Sequence, residues 1–191
     1  MPDAGTNRRR ADAARNIAAL LDAASAAFVQ AGVEAPVRDI AARAGVGVGT
    51  IYRHFPTRAD LVVAVYRHQV DALAASADVL LGSATSPSAA LDAWIDGFVD
   101  FLVTKHGLAG ALRSGDPGLE ALHAYFLDEL VPACARILDA ARTAGQTTTD
   151  VSAYQLMRAV GNLCIGAEND ERYDARSVVA LLLRGLRYAA P

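Results

Sequence analysis

The chain is short of the features that mark most other protein classes. Its 18 basic residues include a single lysine, Lys105, and its only two cysteines are Cys134 and Cys164. Those cysteines stand in unrelated apolar segments with no metal-ligand spacing, which suits a reducing cytosol. Buried structural thiols are expected, with a redox-sensing pair as the alternative. No apolar run reaches the ~18 residues that span a bilayer. Behind Arg8, Arg9 and Arg10, the residues Asp12, Arg15 and Asp22 interrupt any signal-peptide core. A cytoplasmic protein without a membrane partner is the expectation. Alternation of β-branched and polar residues is nearly absent, which points to an all-α fold. The four histidines, His54, His68, His106 and His123, fit no metal-binding pattern, and neither nucleophile elbows nor glycine-rich loops after a strand occur. No catalytic residue, metal or cofactor is expected, and an enzyme is the reading the sequence favours least.

What is present is length, apolar content and an uneven charge. The 191 residues are 53% hydrophobic, enough for one or two domains with a real core. Residues 1–60 carry eight arginines against six acids, a net of +2, while 61–191 carry ten bases against fifteen acids, a net of −5. A basic end on an acidic body suits a protein that meets phosphate at one end only.

The most informative run is VRDIAARAGVGVGTIYRHFPTR, residues 37–58. Ile40, Ala41 and Ala44 have the spacing of a short amphipathic helix. Gly45 supplies a residue that tolerates positive φ at the helix end. Val46 and Ile51 give a second helix its inward anchors, and the small Ala41 lets the two approach. Two short helices crossing through a glycine turn make a helix-turn-helix, whose second helix enters the major groove. The longer run GVEAPVRDIAARAGVGVGTIYRHFPTRADLVVAV resembles the DNA-binding segment of TetR-family transcriptional repressors, most specifically at Tyr52-Arg53-His54-Phe55-Pro56. The detailed likeness covers residues 12–66. The chain departs from the family pattern at Pro36-Val37 and Gly47, where a serine or threonine is usual, so two hydroxyl caps are missing.

Periodicity predicts about nine helices. A disordered basic arm is expected over 1–10, a helix-turn-helix domain over 11–60, and a helical body over 61–191. The first helix is placed at Ala11–Gln30, and Thr57 with Asp60 forms a capping box for a long fourth helix. Helices follow from Pro87 to Thr104, briefly around Leu108–Arg113, from Leu119 to Ala144 with a bend or break at Pro132, from an Asp150 cap, and from Ala175 to Tyr188.

Candidate DNA contacts are Arg38, Val48, Gly49, Thr50, Tyr52, Arg53, His54 and Arg58. Thr50 and Tyr52 combine an apolar surface with a hydroxyl, and the cations suit phosphates. Arg58 opens the fourth helix, where dipole and guanidinium together attract an anion. Phe55 is expected in the domain core. The basic arm is a second route to the backbone or minor groove. The resemblance implies double-stranded DNA with a palindromic operator as partner, a homodimer through the last two helices, and a small-molecule inducer held by the middle helices. Trp94, Phe98, Phe101, Tyr125 and Met157 are candidate walls of that pocket, and Arg158, Asn162 and His123 its candidate polar groups. Such a pocket favours a flat or greasy ligand. A regulator without any small-molecule ligand is the alternative.

Overall fold

The computed structural model describes residues 4–109, 117–147, 150–165, 167, 170 and 172–187, with side chains from Asp12 onward except over 103–109 and 117–119. Among these residues there are eight helices and no strand: α1 (Ala4–Ala31), α2 (Val37–Ala44), α3 (Val48–His54), α4 (Arg58–Ser83), α5 (Pro87–Ala109), α6 (Pro117–Thr143), α7 (Ala153–Cys164) and α8 (Ala175–Gly185). The all-α class read from the sequence is what the structure has. The short helix expected around Leu108–Arg113 is not separate at its start, because Leu108 and Ala109 continue α5 past Gly107; its remainder lies outside the described residues.

Several boundaries differ from expectation for local reasons. α1 begins at Ala4 rather than Ala11, so Arg8–Arg10 fall inside a helix and not on an unstructured arm. Alanine and arginine are both strong helix formers, and the run Arg8–Arg15 contains little else. α6 is continuous through Pro132. Pro132 and Asp128 are both exposed, so the carbonyl that loses its donor four residues on is open to water. Asp150 does not cap α7. Ser152 does, accepting from the Gln155 N–H at 3.2 Å while the Gln155 Oε1 accepts from the Ser152 N–H at 2.9 Å. Two capping residues compete within three positions, and the reciprocal glutamine decides between them.

The chain divides into two compact units: the first takes in the described residues up to His68 together with 106–109, and the second takes in 69–105 and the described residues from 117 onward. The first unit rests on Leu20, Ala24 and Phe28 of α1, Ile40 and Ala41 of α2, Ile51 of α3, and Leu61, Val62 and Val65 of α4, all buried. His68 reaches Asp22 on α1 at 2.8 Å, instead of pairing with Asp71 along its own helix.

The second unit has an aromatic centre. Trp94, Phe98 and Phe101 stand on α5, and Phe126 with His123 on α6. The Trp94–Phe98 rings stack with centroids 5.8 Å apart, and Phe101–Phe126 at 5.7 Å. The Trp94 Nε1 donates to the Leu73 carbonyl of α4 at 3.0 Å, which satisfies the one polar atom of a fully buried ring. Outside this centre, Asp92, Asp96 and Asp100 form a column along α5. Arg176 bridges Asp96 and Asp100, and Arg187 pairs with Asp92, which ties both ends of α8 to α5. Cys134 and Cys164 are free and buried, and burial pushes the Cys134 thiol up to about 12.

Candidate nucleic-acid interface

α2 and α3 have eight and seven residues, too short to persist alone. Neither has a side-chain cap: Pro36 precedes α2 and Gly47 precedes α3, both with extended backbone. Burial supplies what the caps do not. Ile40, Ala41 and Ile51 are each at most 3% exposed, so the two helices are pinned by their inward faces.

Gly45 makes the turn. Its φ is +67°, its N–H donates to the Ala42 carbonyl at 3.3 Å, and the Val46 N–H donates to the Ala41 carbonyl at 3.0 Å. This pair of bonds is a Schellman closure, which needs a left-handed residue at that point. A side chain there would be strained whatever space surrounds it. The turn therefore fixes the angle at which α3 leaves α2.

Further hydrogen bonds brace α2 against α1 and cap the head of α4. The Arg43 guanidinium of α2 donates to the Gln30 Oε1 of α1 at 2.6 Å. Thr57 and Asp60 form the expected capping box at the head of α4, with the Thr57 N–H to Asp60 Oδ2 at 2.9 Å and the Asp60 N–H to Thr57 Oγ1 at 3.1 Å. The Thr57 hydroxyl and then its N–H donate to the carboxylate and hold the Asp60 pKa below its ordinary value.

Of the expected contact residues, Arg38, Val48, Gly49, Tyr52, Arg53 and His54 are exposed, and Thr50 is half-buried. Val48 and Tyr52 are large apolar side chains left in solvent on one turn of α3. Phe55, expected in the core, is half-buried beside His54. Arg38 lies 3.4 Å from its neighbour Asp39, an exposed pair of little energetic weight.

Arg58 is placed differently from the phosphate contact expected of it. Its Nε donates to the Val33 carbonyl at 2.6 Å and its Nη2 to the Ala35 carbonyl at 2.6 Å. The planar guanidinium matches two carbonyls of the α1–α2 connection, and Ala35 is buried. Those bonds use the Nε and Nη2 donors and fix the plane of the group, while Nη1 takes no part in them. Nothing local in the sequence signals such a contact, since the acceptors are backbone atoms 23 and 25 residues away.

The expected pocket residues are not all brought together. Trp94, Phe98 and Phe101 meet in the aromatic centre with Phe126, and His123, an expected polar group of the pocket, is exposed and stacks on Phe126. Tyr125 is half-buried and donates its hydroxyl to Asp71 of α4. Met157 is buried on the inner face of α7 with Leu156 and Val160. Arg158 and Asn162 are exposed, so they do not line that interior as expected. They fall at positions 158 and 162 of a helix whose buried stripe runs 153, 156, 157, 160 and 164.

Among the described residues no cluster of three metal-ligating side chains occurs, and no helix is long and apolar enough to cross a membrane. The chain matches the sequence profile described as bacterial regulatory proteins, tetR family, over residues 20–65, and that of the SbtR-like transcriptional regulator C-terminal domain over 86–188. The HTH-type transcriptional activator FasR of Mycolicibacterium smegmatis is 37% identical over 102 residues, 52% of this chain and 47% of its own length. The HTH-type transcriptional repressor Rv3405c of Mycobacterium tuberculosis is 35% identical over 142 residues, 72% of this chain and 65% of its own length. The chain thus spans less than two thirds of either curated relative. The crystal structure of TetR transcriptional regulator SCO0520 from Streptomyces coelicolor superposes with a TM-score of 0.77 at 34% identity, covering 90% of this chain and 98% of that one. Helix order, the glycine-turned α2–α3 pair and both profile matches agree, and the chain belongs to the TetR family of bacterial regulatory proteins.

Proposed function

We propose that this protein is a dimeric transcriptional regulator that binds a two-fold DNA site through α2 and α3 and leaves it when a small, flat or apolar ligand binds the α5–α6 region. The observation that carries the DNA part is the exposed face of α3. A seven-residue helix pinned from behind by Ile51 leaves Val48, Gly49, Tyr52 and Arg53 turned to solvent. Those groups are of the size and chemistry that a major groove accepts. Arg38 and His54 add exposed polar groups suited to backbone phosphates, and Thr50 a hydroxyl.

One helix-turn-helix gives little specificity alone, so two copies are required. α7 and α8 offer the surface for pairing. Tyr154, Arg158, Asn162 and Ile165 recur at the spacing of one outward stripe, and Leu181 of α8 is likewise exposed. For the ligand, the stacked rings of Trp94, Phe98, Phe101 and Phe126 supply aromatic faces that a flat molecule would match. A ligand that parts those rings binds one conformation better and draws population away from the DNA-bound form. Relatives named as activator and as repressor both exist, and release from the operator makes repression the reading adopted.

The test is a fluorescence-anisotropy titration of the purified protein against its own upstream intergenic DNA, at two salt concentrations and with excess unrelated duplex. Competitor-resistant, salt-weakened binding that Tyr52→Ala abolishes supports the reading. Binding removed by the competitor rejects a local operator, and a Leu181→Glu variant that stays dimeric in sedimentation rejects the α7–α8 surface.

A further inference from the structure

We propose that Val48, Gly49 and Tyr52 form an apolar notch on α3 that receives the 5-methyl group of a thymine in each half-site. The inference rests on the DNA-binding reading above and deepens it to a base. Gly49 is the starting point. It lies inside a helix, where glycine costs stability relative to alanine because it has more backbone freedom to lose. The protein has no need of that loss. Gly49 is exposed, its φ is not in the left-handed region, and a Cβ built on it meets nothing within 4 Å. An alanine would fit the folded chain and strengthen the helix. Gly82 has the same open space on α4; what sets Gly49 apart is that it lies beside the exposed Val48 and Tyr52 on the helix read as facing DNA.

The neighbours say what fits there. Val48 and Tyr52 stand four residues apart, one turn of helix, and Gly49 lies three before Tyr52 on the same side. Helical side chains lean toward the N-terminus, so the Tyr52 ring covers the turn that holds Val48 and Gly49. Both large side chains are exposed although they are apolar in most of their surface. Positions 47, 48 and 49 offer no side-chain hydrogen-bond donor or acceptor. Hydrogen-bonded readout of guanine, adenine or cytosine edges by the side chains of these three positions is thereby excluded. The one apolar group that marks a base in the major groove is the thymine methyl. A bare backbone flanked by a valine and a tyrosine ring is a shape that takes a methyl group and little more.

The full chain would first select duplexes from a random-sequence library, and a T·A pair should be fixed at one position of each half-site. On the selected duplex Gly49→Ala should bind at least about tenfold more weakly, the scale of one lost base contact, while its Tm is equal or higher. Replacing the fixed thymine by deoxyuridine removes the methyl. It should weaken the wild-type protein, yet restore Gly49→Ala to within about threefold of it, because the alanine methyl then fills the vacated space. Gly82→Ala serves as control: Gly82 is an exposed glycine of α4 with nothing within 4 Å of its Cβ, and its substitution should leave affinity unchanged. Gly49→Ala binding within twofold of wild type overturns the notch. So does an equal loss of affinity on the thymine and deoxyuridine duplexes. A wild-type protein that selects no sequence at all sinks the DNA-binding reading instead, and is told apart by that first step.

Discussion

Arg58→Ala separates two roles that one arginine at the head of a helix can have. If Arg58 holds the α1–α2 connection, its loss removes the hydrogen bonds to the carbonyls of Val33 and Ala35. A hydrogen bond to a charged group contributes about 1.5–3 kcal/mol net. The side chain is 31% exposed, which lowers that value, but Ala35 is 2% exposed and its carbonyl would be left buried without a partner. The ion pair to Glu34 at 3.7 Å adds little, because the glutamate is exposed. The total is about 2–4 kcal/mol, and for a chain of this length that lowers Tm by about 5–10 °C. Arg58→Lys should recover only part of this, since one ammonium cannot span two carbonyls as a planar fork does. DNA affinity should fall as well, because the frame behind α3 loosens. The discriminating number is the salt slope. Each phosphate contact contributes about 0.9 to the slope of log K against log salt. Arg58→Ala should leave the slope unchanged, whereas Arg53→Ala should reduce it by about that amount per subunit and leave Tm alone. Measured by calorimetry and anisotropy titration, a variant with an unchanged Tm and a reduced slope would falsify the positioning role and return Arg58 to the phosphates.

Other perturbations test the frame around the site. The Cys134 pKa is raised to about 12 by burial, so the folded chain keeps its proton where an unfolded thiol, near 8.5, has lost it. That contribution is fully present below about pH 8.5 and is lost as pH rises toward 12; Tm should fall more steeply with pH above 9 than that of Cys134→Ala, and a thiol reagent at pH 8 should label neither cysteine until the protein unfolds. Asp60 has the opposite sign. The Thr57 hydroxyl lowers its pKa, so its contribution is present above about pH 3.9 and fades as pH falls below it. Thr57→Val should lower Tm by about 2–4 °C at pH 7, and the difference should narrow under acid. Arg176→Ala removes the cation shared by Asp96 and Asp100, and the loss of Tm should be larger at low salt than at 0.5 M, a range over which salt screens such exposed pairs.

What was legible in the sequence follows a physical line. The helix-turn-helix was legible because its determinants are local: a glycine that takes positive φ, apolar residues at helical spacing, and a threonine three residues before an aspartate. The aromatic centre was legible as a set of inward residues, since Trp94, Phe98 and Phe101 share one helix face. Long-range polar choices were not legible. His68 has Asp71 within a turn of its own helix, yet takes Asp22 across the bundle, while Asp71 receives the Tyr125 hydroxyl. Arg58 takes backbone carbonyls, which every residue carries and which therefore leave no pattern to read. Arg158 and Asn162 are expected among the polar groups of the pocket, but their position relative to the buried stripe of α7 turns them outward. The Asp92–Asp96–Asp100 column carries a visible signal, acids at intervals of four, but the arginines that answer it lie more than 75 residues along the chain.

The economy of α3 connects these observations. A helix of seven residues with a glycine cap and a second glycine inside has little stability of its own. Its outward residues contribute almost nothing to holding it, since Val48, Gly49, Tyr52 and Arg53 are exposed. It is held instead by Ile51 from behind, by the Gly45 closure before it, and by the capped head of α4 after it. The frame and the reading surface are thus made of different residues. Substitutions on the outer face of α3 should alter which DNA is bound with little change in Tm, and substitutions in the frame should change Tm and affinity together. Gly49 and Arg58 stand at the two ends of that division. Alanine at Gly49 should improve the helix and impair the reading. Alanine at Arg58 should leave every outward group in place and weaken the mounting that aims them.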